Sequence, residues 1–213
     1  MKKRIKINGI IIFVCAMLVI AFPMKFLRLH TGRLDLLAEI CGMCLMLLGM
    51  LLRISSRGFK SEHSEAGKTL VTGGPYGLVR NPMYLGISCI ALGLIMIIFQ
   101  SWALITFAAF FIFRYITLIF KEEKILADSF GQQYLDYQKR VPRILPRPGA
   151  VLRSGLLEYL SLRPAWIKKE INSILPLLII VYGFALWRGA YHFLLMLGLT
   201  LIFAASAGVF KKP

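Results

Sequence analysis

Acidic residues are scarce in this 213-residue chain: Asp and Glu total 10 against 26 Lys and Arg, for a net charge of +16. In a soluble protein that excess would point to nucleic acid. Here the basic residues sit between long apolar runs, not along one face with interleaved aromatics. Anionic lipid headgroups are therefore the expected counter-charge, and nucleic acid is not an expected partner. Only four cysteines are present, and Cys15, Cys41, Cys44 and Cys89 all fall inside apolar stretches, which argues against an extracellular disulfide framework. The three histidines, His30, His63 and His192, are too scattered to mark a zinc site, so no metal is expected. A Gly-x-Gly-x-x-Gly fingerprint following a strand is also missing, which leaves no Rossmann-type dinucleotide site.

Apolar residues are what the chain has in abundance. Hydrophobic residues make up 58% and charged residues 17%, with a mean hydropathy of +0.71, outside the range of ordinary soluble domains. Crossing a hydrocarbon core of about 30 Å takes roughly 20 apolar residues. Six stretches are candidates: Gly9 to Phe22, Leu34 to Leu52, Met83 to Phe99, Trp102 to Phe120, Ile174 to Trp187 and Ala190 to Phe210. With the N-terminus in the cytoplasm and sides alternating, only Lys25, Arg28, Arg33 and Arg188 fall outside and Arg114 lies within a span. The positive-inside rule thus predicts a multi-pass protein of the cell (inner) membrane with both termini cytoplasmic. The basic N-terminus and the apolar run behind it read as an uncleaved signal anchor, because no small-x-small cleavage site follows.

The expected fold class is all-α, a polytopic membrane helical bundle of about six transmembrane helices. It is read as a single domain over residues 1–213, with a core over about 34–150 and an additional C-terminal helical pair over about 170–210. Two substantial segments, Arg53 to Pro82 and Lys121 to Ser173, face the cytoplasm in this arrangement. Gln100-Ser101 is hardly a loop, so the third and fourth spans form a tight hairpin that delivers both segments to one place.

The first of these segments contains Gly73-Gly74-Pro75-Tyr76-Gly77 and then Arg80-Asn81-Pro82-Met83-Tyr84-Leu85-Gly86. Its glycines and prolines exclude a continuous helix and predict an ordered loop leading into the third span. The plainer alternative is a tight turn with Pro82 in the first helical turn. In the second segment, Glu122-Glu123 stands at the inner end of the fourth span. Ile125, Leu126, Phe130, Tyr134 and Tyr137 then recur at helical spacing, which predicts an amphipathic interfacial helix from Lys121 to Arg140 on the cytoplasmic side.

Taken together, Gly74-Pro75-Tyr76, Arg80-Asn81-Pro82-Met83-Tyr84-Leu85-Gly86, Glu122-Glu123 and the Phe130-Gly131-x-x-Tyr134-x-x-Tyr137 run ending in Val141-Pro142-Arg143 resemble the isoprenylcysteine carboxyl methyltransferase and phospholipid methyltransferase superfamily. The resemblance covers about Leu70 to Pro146. Where the family usually has Arg-His-Pro this chain has Arg80-Asn81-Pro82, so a protonated imidazole is not available at that position.

The resemblance implies S-adenosylmethionine as cofactor, held by Gly74, Pro75, Tyr76, Arg80, Asn81, Pro82, Tyr84, Gly86, Glu122 and Glu123. It also implies a lipophilic or prenylated acceptor, such as an isoprenylcysteine-type carboxylate or a lipid amine, reached from among the membrane lipids. Arg80, Glu123 and Arg114 are the candidate catalytic residues. Arg80 suits the donor carboxylate, Glu122 or Glu123 its ammonium or ribose hydroxyls, and the Tyr84 ring its sulfonium. Arg114, inside the fourth span, either orients an anionic group near Glu122 or Glu123 or snorkels to the inner interface about 9 Å away.

Three other readings compete. One is a membrane reductase of steroid-reductase-like topology, with Arg140, Arg143 and Arg147 on a nicotinamide cofactor's phosphate. Another is a thiol-redox enzyme using Cys41 and Cys44, which share a helix face. The last is a non-enzymatic membrane component, for which Glu39 and His192 are the only cues; both are expected to reach the outer interface.

Overall fold

The computed structural model describes residues 17, 19, 21–29, 32–147, 149, 159–188 and 197–202. Their regular structure is helical, and the β contact among them is an isolated bridge between Leu27 and Phe99. In chain order come α1 (Pro23–Phe26), α2 (Arg33–His63), a 3-10 turn (Glu65–Gly67), α3 (Pro75–Leu78), α4 (Pro82–Ile98), α5 (Ser101–Phe130), α6 (Gln132–Arg140) and α7 (Pro164–Trp187). Proline opens α1, α3, α4 and α7, where its missing N–H has no intrahelical partner to lose.

α2, α5 and α7, with 31, 30 and 24 residues, are long and apolar enough to cross a membrane, while α4 is apolar but has 17 residues. Of the six expected spans, Gly9 to Phe22 and Ala190 to Phe210 fall largely outside the described residues, and the third is short of a full crossing. The three long helices also overrun their apolar stretches at one common end: α2 beyond Leu52, α5 beyond Phe120 and α7 before Ile174. Hydropathy finds the buried or lipid-facing length of a helix, not its end, so these overhangs are invisible to it. α5 turns Ile105, Phe110, Phe113 and Phe120 outward, an apolar stripe suited to lipid.

The expected interfacial helix from Lys121 to Arg140 is corrected by the structure. Lys121 to Phe130 is the last part of α5, and Gly131, at φ +52°, lets the chain turn sharply into α6. That left-handed conformation suits glycine. The aromatic face of α6 therefore folds back onto the protein, burying Tyr134 and Tyr137.

α2 and α4 run antiparallel in close contact along a seam of glycines. A Cβ on Gly42 would lie 2.8 Å from the Gly93 carbonyl, and one on Gly49 would lie 2.6 Å from the Gly86 carbonyl and 2.7 Å from the Ile90 nitrogen. The obstacles are backbone atoms, which cannot swing aside. Small residues at such crossings let membrane helices approach without the hydrophobic driving force that water supplies. Gly49→Ala is accordingly expected to cost roughly 1–3 kcal/mol, read as a lower unfolding midpoint of the solubilised protein. Gly183→Ala, with open space around it, is the control expected to leave the midpoint in place.

Two apolar clusters complete the packing. One joins Met43, Met46, Leu47 and Met50 of α2 to Ile90 and Ile97 of α4 and Val181 and Ala185 of α7. The other packs Leu51, Leu52 and Ile54 of α2 against Leu160, Leu162 and Trp166.

At the opposite end from the overhangs, Glu39 is paired with Arg188, the two side chains being 1% and 2% exposed. Arg188 also donates to the Arg28 carbonyl at 2.9 Å, and Arg28 pairs with Asp35 at 2.6 Å. The expectation that Glu39 reaches the interface is thus overturned: a carboxylate with a guanidinium on a neighbouring helix can remain buried. His192 lies outside the described residues.

Candidate functional site

The two motif segments meet at the overhanging end of the bundle. Two backbone hydrogen bonds join them, Arg80 N–H to the Pro142 carbonyl at 2.8 Å and Asn81 N–H to the Arg143 carbonyl at 3.1 Å. Side chains then close around Glu123, which is 4% exposed. Its carboxylate lies 3.4 Å from Arg80 Nη2 and 2.9 Å from Arg143 Nη2, and accepts from Arg143 Nε at 3.0 Å and from Asn81 Nδ2 at 3.0 Å. One acid thus fastens three groups from two segments. Buried carboxylates persist when paired and hydrogen-bonded in this way.

Glu122, the adjacent residue, does different work. It accepts a 2.6 Å hydrogen bond from the Tyr84 hydroxyl and lies 3.9 Å from Lys60 Nζ. The Tyr84 ring meets Tyr115 edge-on, with centroids 5.6 Å apart. Between these groups opens a cavity of about 250 Å³, close to the lower end of small-molecule pockets. Its walls come from Lys60 at the end of α2, Leu70 and Val71 in the loop, Tyr76 of α3, and Arg80 and Asn81. Pro82, Met83, Tyr84 and Ile87 of α4, Glu122, Leu126 and Phe130 of α5, and Tyr134 and Tyr137 of α6 contribute further.

Polar atoms with unmet hydrogen-bonding capacity stand in this wall. Tyr76 Oη and Arg80 Nε are buried without a hydrogen-bond partner among the described residues, and an unpaired buried donor costs on the order of 1–3 kcal/mol. Burial, reinforced by the Glu122 charge, pushes the Tyr76 phenol above its ordinary range. Burial likewise raises Tyr134 and Tyr137, the latter donating to the Tyr76 carbonyl at 2.6 Å. All three phenols therefore remain protonated donors through the neutral range.

Of the residues expected to form the site, Tyr76, Arg80, Asn81, Pro82, Tyr84 and Glu122 line the cavity. Glu123 stands behind the wall and holds Arg80 and Asn81 in it. Gly74, at φ +52°, caps α3 with Pro75 behind it, and a Cβ there would meet the Phe59 ring at 2.8 Å. Gly86 packs against α2, where a Cβ would lie 2.9 Å from the Arg53 nitrogen. Arg114 is exposed on α5 and does not line the cavity. Cys41 and Cys44 are exposed thiols on α2. Among the described residues no cluster of His, Cys, Asp and Glu has the makings of a metal site.

Lys60 and the Arg143 clamp on Glu123 were not foreseen as parts of the site. Arg143 stood in the Val-Pro-Arg run, but nothing in sequence spacing tells that it turns towards Glu123.

Residues 37–133 match the phospholipid methyltransferase family. This stretch is therefore similar to the phospholipid methyltransferase family. The matched segment contains α4, α5 and all but the start of α2, with the cavity at their common end. The chain is 32% identical over 115 residues to the protein-S-isoprenylcysteine O-methyltransferase of Tribolium castaneum, covering 49% of this chain and 40% of that protein. It is 35% identical over 114 residues to the protein of the same name from Rattus norvegicus, covering 52% and 39%. The aligned part thus spans about two fifths of the curated relatives' length. No solved structure matches the chain.

Proposed function

We propose that this chain is a membrane-embedded methyltransferase that uses S-adenosylmethionine to methylate a lipophilic acceptor, an isoprenylcysteine-type carboxylate or a lipid amine. The observation that carries the reading is the meeting of Arg80, Asn81 and Tyr84 with Glu122 and Glu123 around one cavity.

The residues present fit such a donor. Arg80, with its free buried Nε, and Lys60 suit a carboxylate; Glu122 suits an ammonium or a ribose diol; the unpartnered Tyr76 hydroxyl is one further donor. Leu70, Val71, Met83, Ile87, Leu126 and Phe130 supply apolar wall for an adenine or an apolar acceptor chain. S-adenosylmethionine, when bound, supplies an electrophilic methyl group on a cationic sulfur. What the chain contributes is alignment and exclusion of water, the principal requirements of an in-line displacement. Glu123 acts through others, as a positioning residue: it pairs with Arg80 and Arg143 and fixes Asn81, so that wall of the cavity keeps its shape.

Calorimetric titration of the purified, solubilised protein with S-adenosylhomocysteine tests this reading. Micromolar-range binding is expected, weakened about tenfold or more by Arg80→Ala and by Glu122→Gln, each of which removes a charged hydrogen-bonding group facing the ligand. No binding by a protein that remains folded, or binding indifferent to both substitutions, contradicts it.

A further inference from the structure

A second cavity, of about 230 Å³, lies between the last turns of α2 and the first turns of α7 and shares no lining residue with the first. Arg57, Lys169, Glu170 and Trp166 are among its walls. Its charge is unbalanced. Glu170, with a side chain 6% exposed, is held by Arg57 Nη1 at 2.6 Å and lies 3.4 Å from Arg53 Nε. That carboxylate is shared by two guanidiniums, and Lys169, which lines the same space, has no ion-pair partner among the described residues. The Arg57 side chain is 56% exposed, so part of its guanidinium remains open to another group. Trp166, also in the wall, has its N–H committed to Glu62 at 2.7 Å.

We propose that this cavity binds the phosphate of an anionic lipid headgroup. A half-engaged guanidinium beside an unpaired ammonium is a donor set suited to a phosphate oxyanion. Depth selects the source. Lys168 and Lys169 are followed directly along α7 by outward-facing Ile171, Leu175 and Ile179, which are 45%, 53% and 61% exposed. The cavity thus sits where a basic rim gives way to an apolar, lipid-suited face, at headgroup level, and basic pockets between helices at that level suit anionic headgroups. A lipid seated there bridges α2 and α7 at the flank of the first cavity's helices, independently of any methyl donor.

The test uses the full-length protein in nanodiscs of phosphatidylcholine, with and without phosphatidylglycerol, and counts lipid retained in native mass spectrometry. Wild type is expected to retain phosphatidylglycerol selectively. Lys169→Gln, which touches an exposed and unpaired residue and so spares the fold, is expected to raise the half-saturating phosphatidylglycerol fraction about fivefold, as for the loss of one surface cation. Lys139→Gln, an exposed cation on α6, serves as the control and is expected to leave it unchanged. Equal weakening by the two variants means diffuse attraction to a basic surface and overturns the proposal, as does retention indifferent to Lys169. An arm with inorganic phosphate in neutral nanodiscs separates the sources. Thermal stabilisation there that matches phosphatidylglycerol and depends on Lys169 assigns the site to free phosphate and overturns the lipid.

Discussion

Replacing Glu123 by Gln is expected to abolish S-adenosylhomocysteine binding and to lower the stability of the solubilised protein by about 3 kcal/mol. Gln preserves the shape of the side chain and one carbonyl acceptor, so the loss isolates the charge. With it gone, Arg80, whose side chain is 10% exposed, keeps its positive charge beside Arg143 and loses its counter-ion. Breaking a buried pair by removing one partner costs on the order of 3–5 kcal/mol, and the lower end applies because Arg143 is 41% exposed and can turn to water. Arg80 then has reason to leave the wall, so the ligand site fails through displacement of Arg80 and Asn81, not through lost contact with Glu123 itself. Asp at the same position is the informative companion: it restores the charge one methylene short, and is expected to recover stability before it recovers binding. Retained affinity in a stably folded Glu123→Gln protein sinks this account.

At the other end of the bundle, Arg188→Met is expected to destabilise by about 3–5 kcal/mol, a fall in unfolding midpoint on the order of 10 °C for a chain of this size. The reason is what stays behind: Glu39, 1% exposed, with a second oxygen that has no hydrogen-bond partner even in the intact pair. Glu39→Met strands the Arg188 guanidinium in turn, though its Nη1 keeps the Arg28 carbonyl, so a smaller loss follows. The double variant Glu39→Met/Arg188→Met removes both charges and is expected to recover most of the deficit, since a buried ion pair replaced by apolar groups is often near neutral. Additive losses in that cycle would mean the two residues are not coupled. Binding of S-adenosylhomocysteine is expected to survive in the double variant, because this cluster contributes nothing to the cavity wall.

Helical class and the convergence of the two motif segments were legible in the sequence for distinct reasons. Apolar runs dictate helices wherever lipid must be met, and the loop around Gly74 and Pro75 could not be helical throughout. The near absence of a loop at Gln100-Ser101, in the structure a two-residue link at Phe99-Gln100, forced α4 and α5 into a hairpin and so brought Tyr84 level with Glu122. Other features depend on geometry that periodicity does not carry. The spacing of Ile125, Phe130 and Tyr134 was consistent with one surface helix, and only the left-handed turn at Gly131 folds its second half inward. The glycines at 42, 49, 86 and 93 are ordinary until the two helices are seen to be antiparallel and in register. Arg143 and Lys60 reach the site through the rotation of their helices or loops, which no spacing rule supplies.

At Gly42, Gly49, Gly86 and Gly93 the α2 and α4 rods meet main chain against main chain, with no side chain of those residues to compress or re-seat. Lys60 rides on one of these rods and Tyr84 on the other, so the gap between them is set as by a rivet, not a spring. On the proposed function, adjustment to acceptors of different girth would fall to the opposite wall, where α5 and α6 are joined at Gly131, a residue with open space where a Cβ would stand. Substrate tolerance in this protein should therefore be altered most easily by changes between Leu126 and Tyr137, and least by changes along the glycine-to-glycine contact.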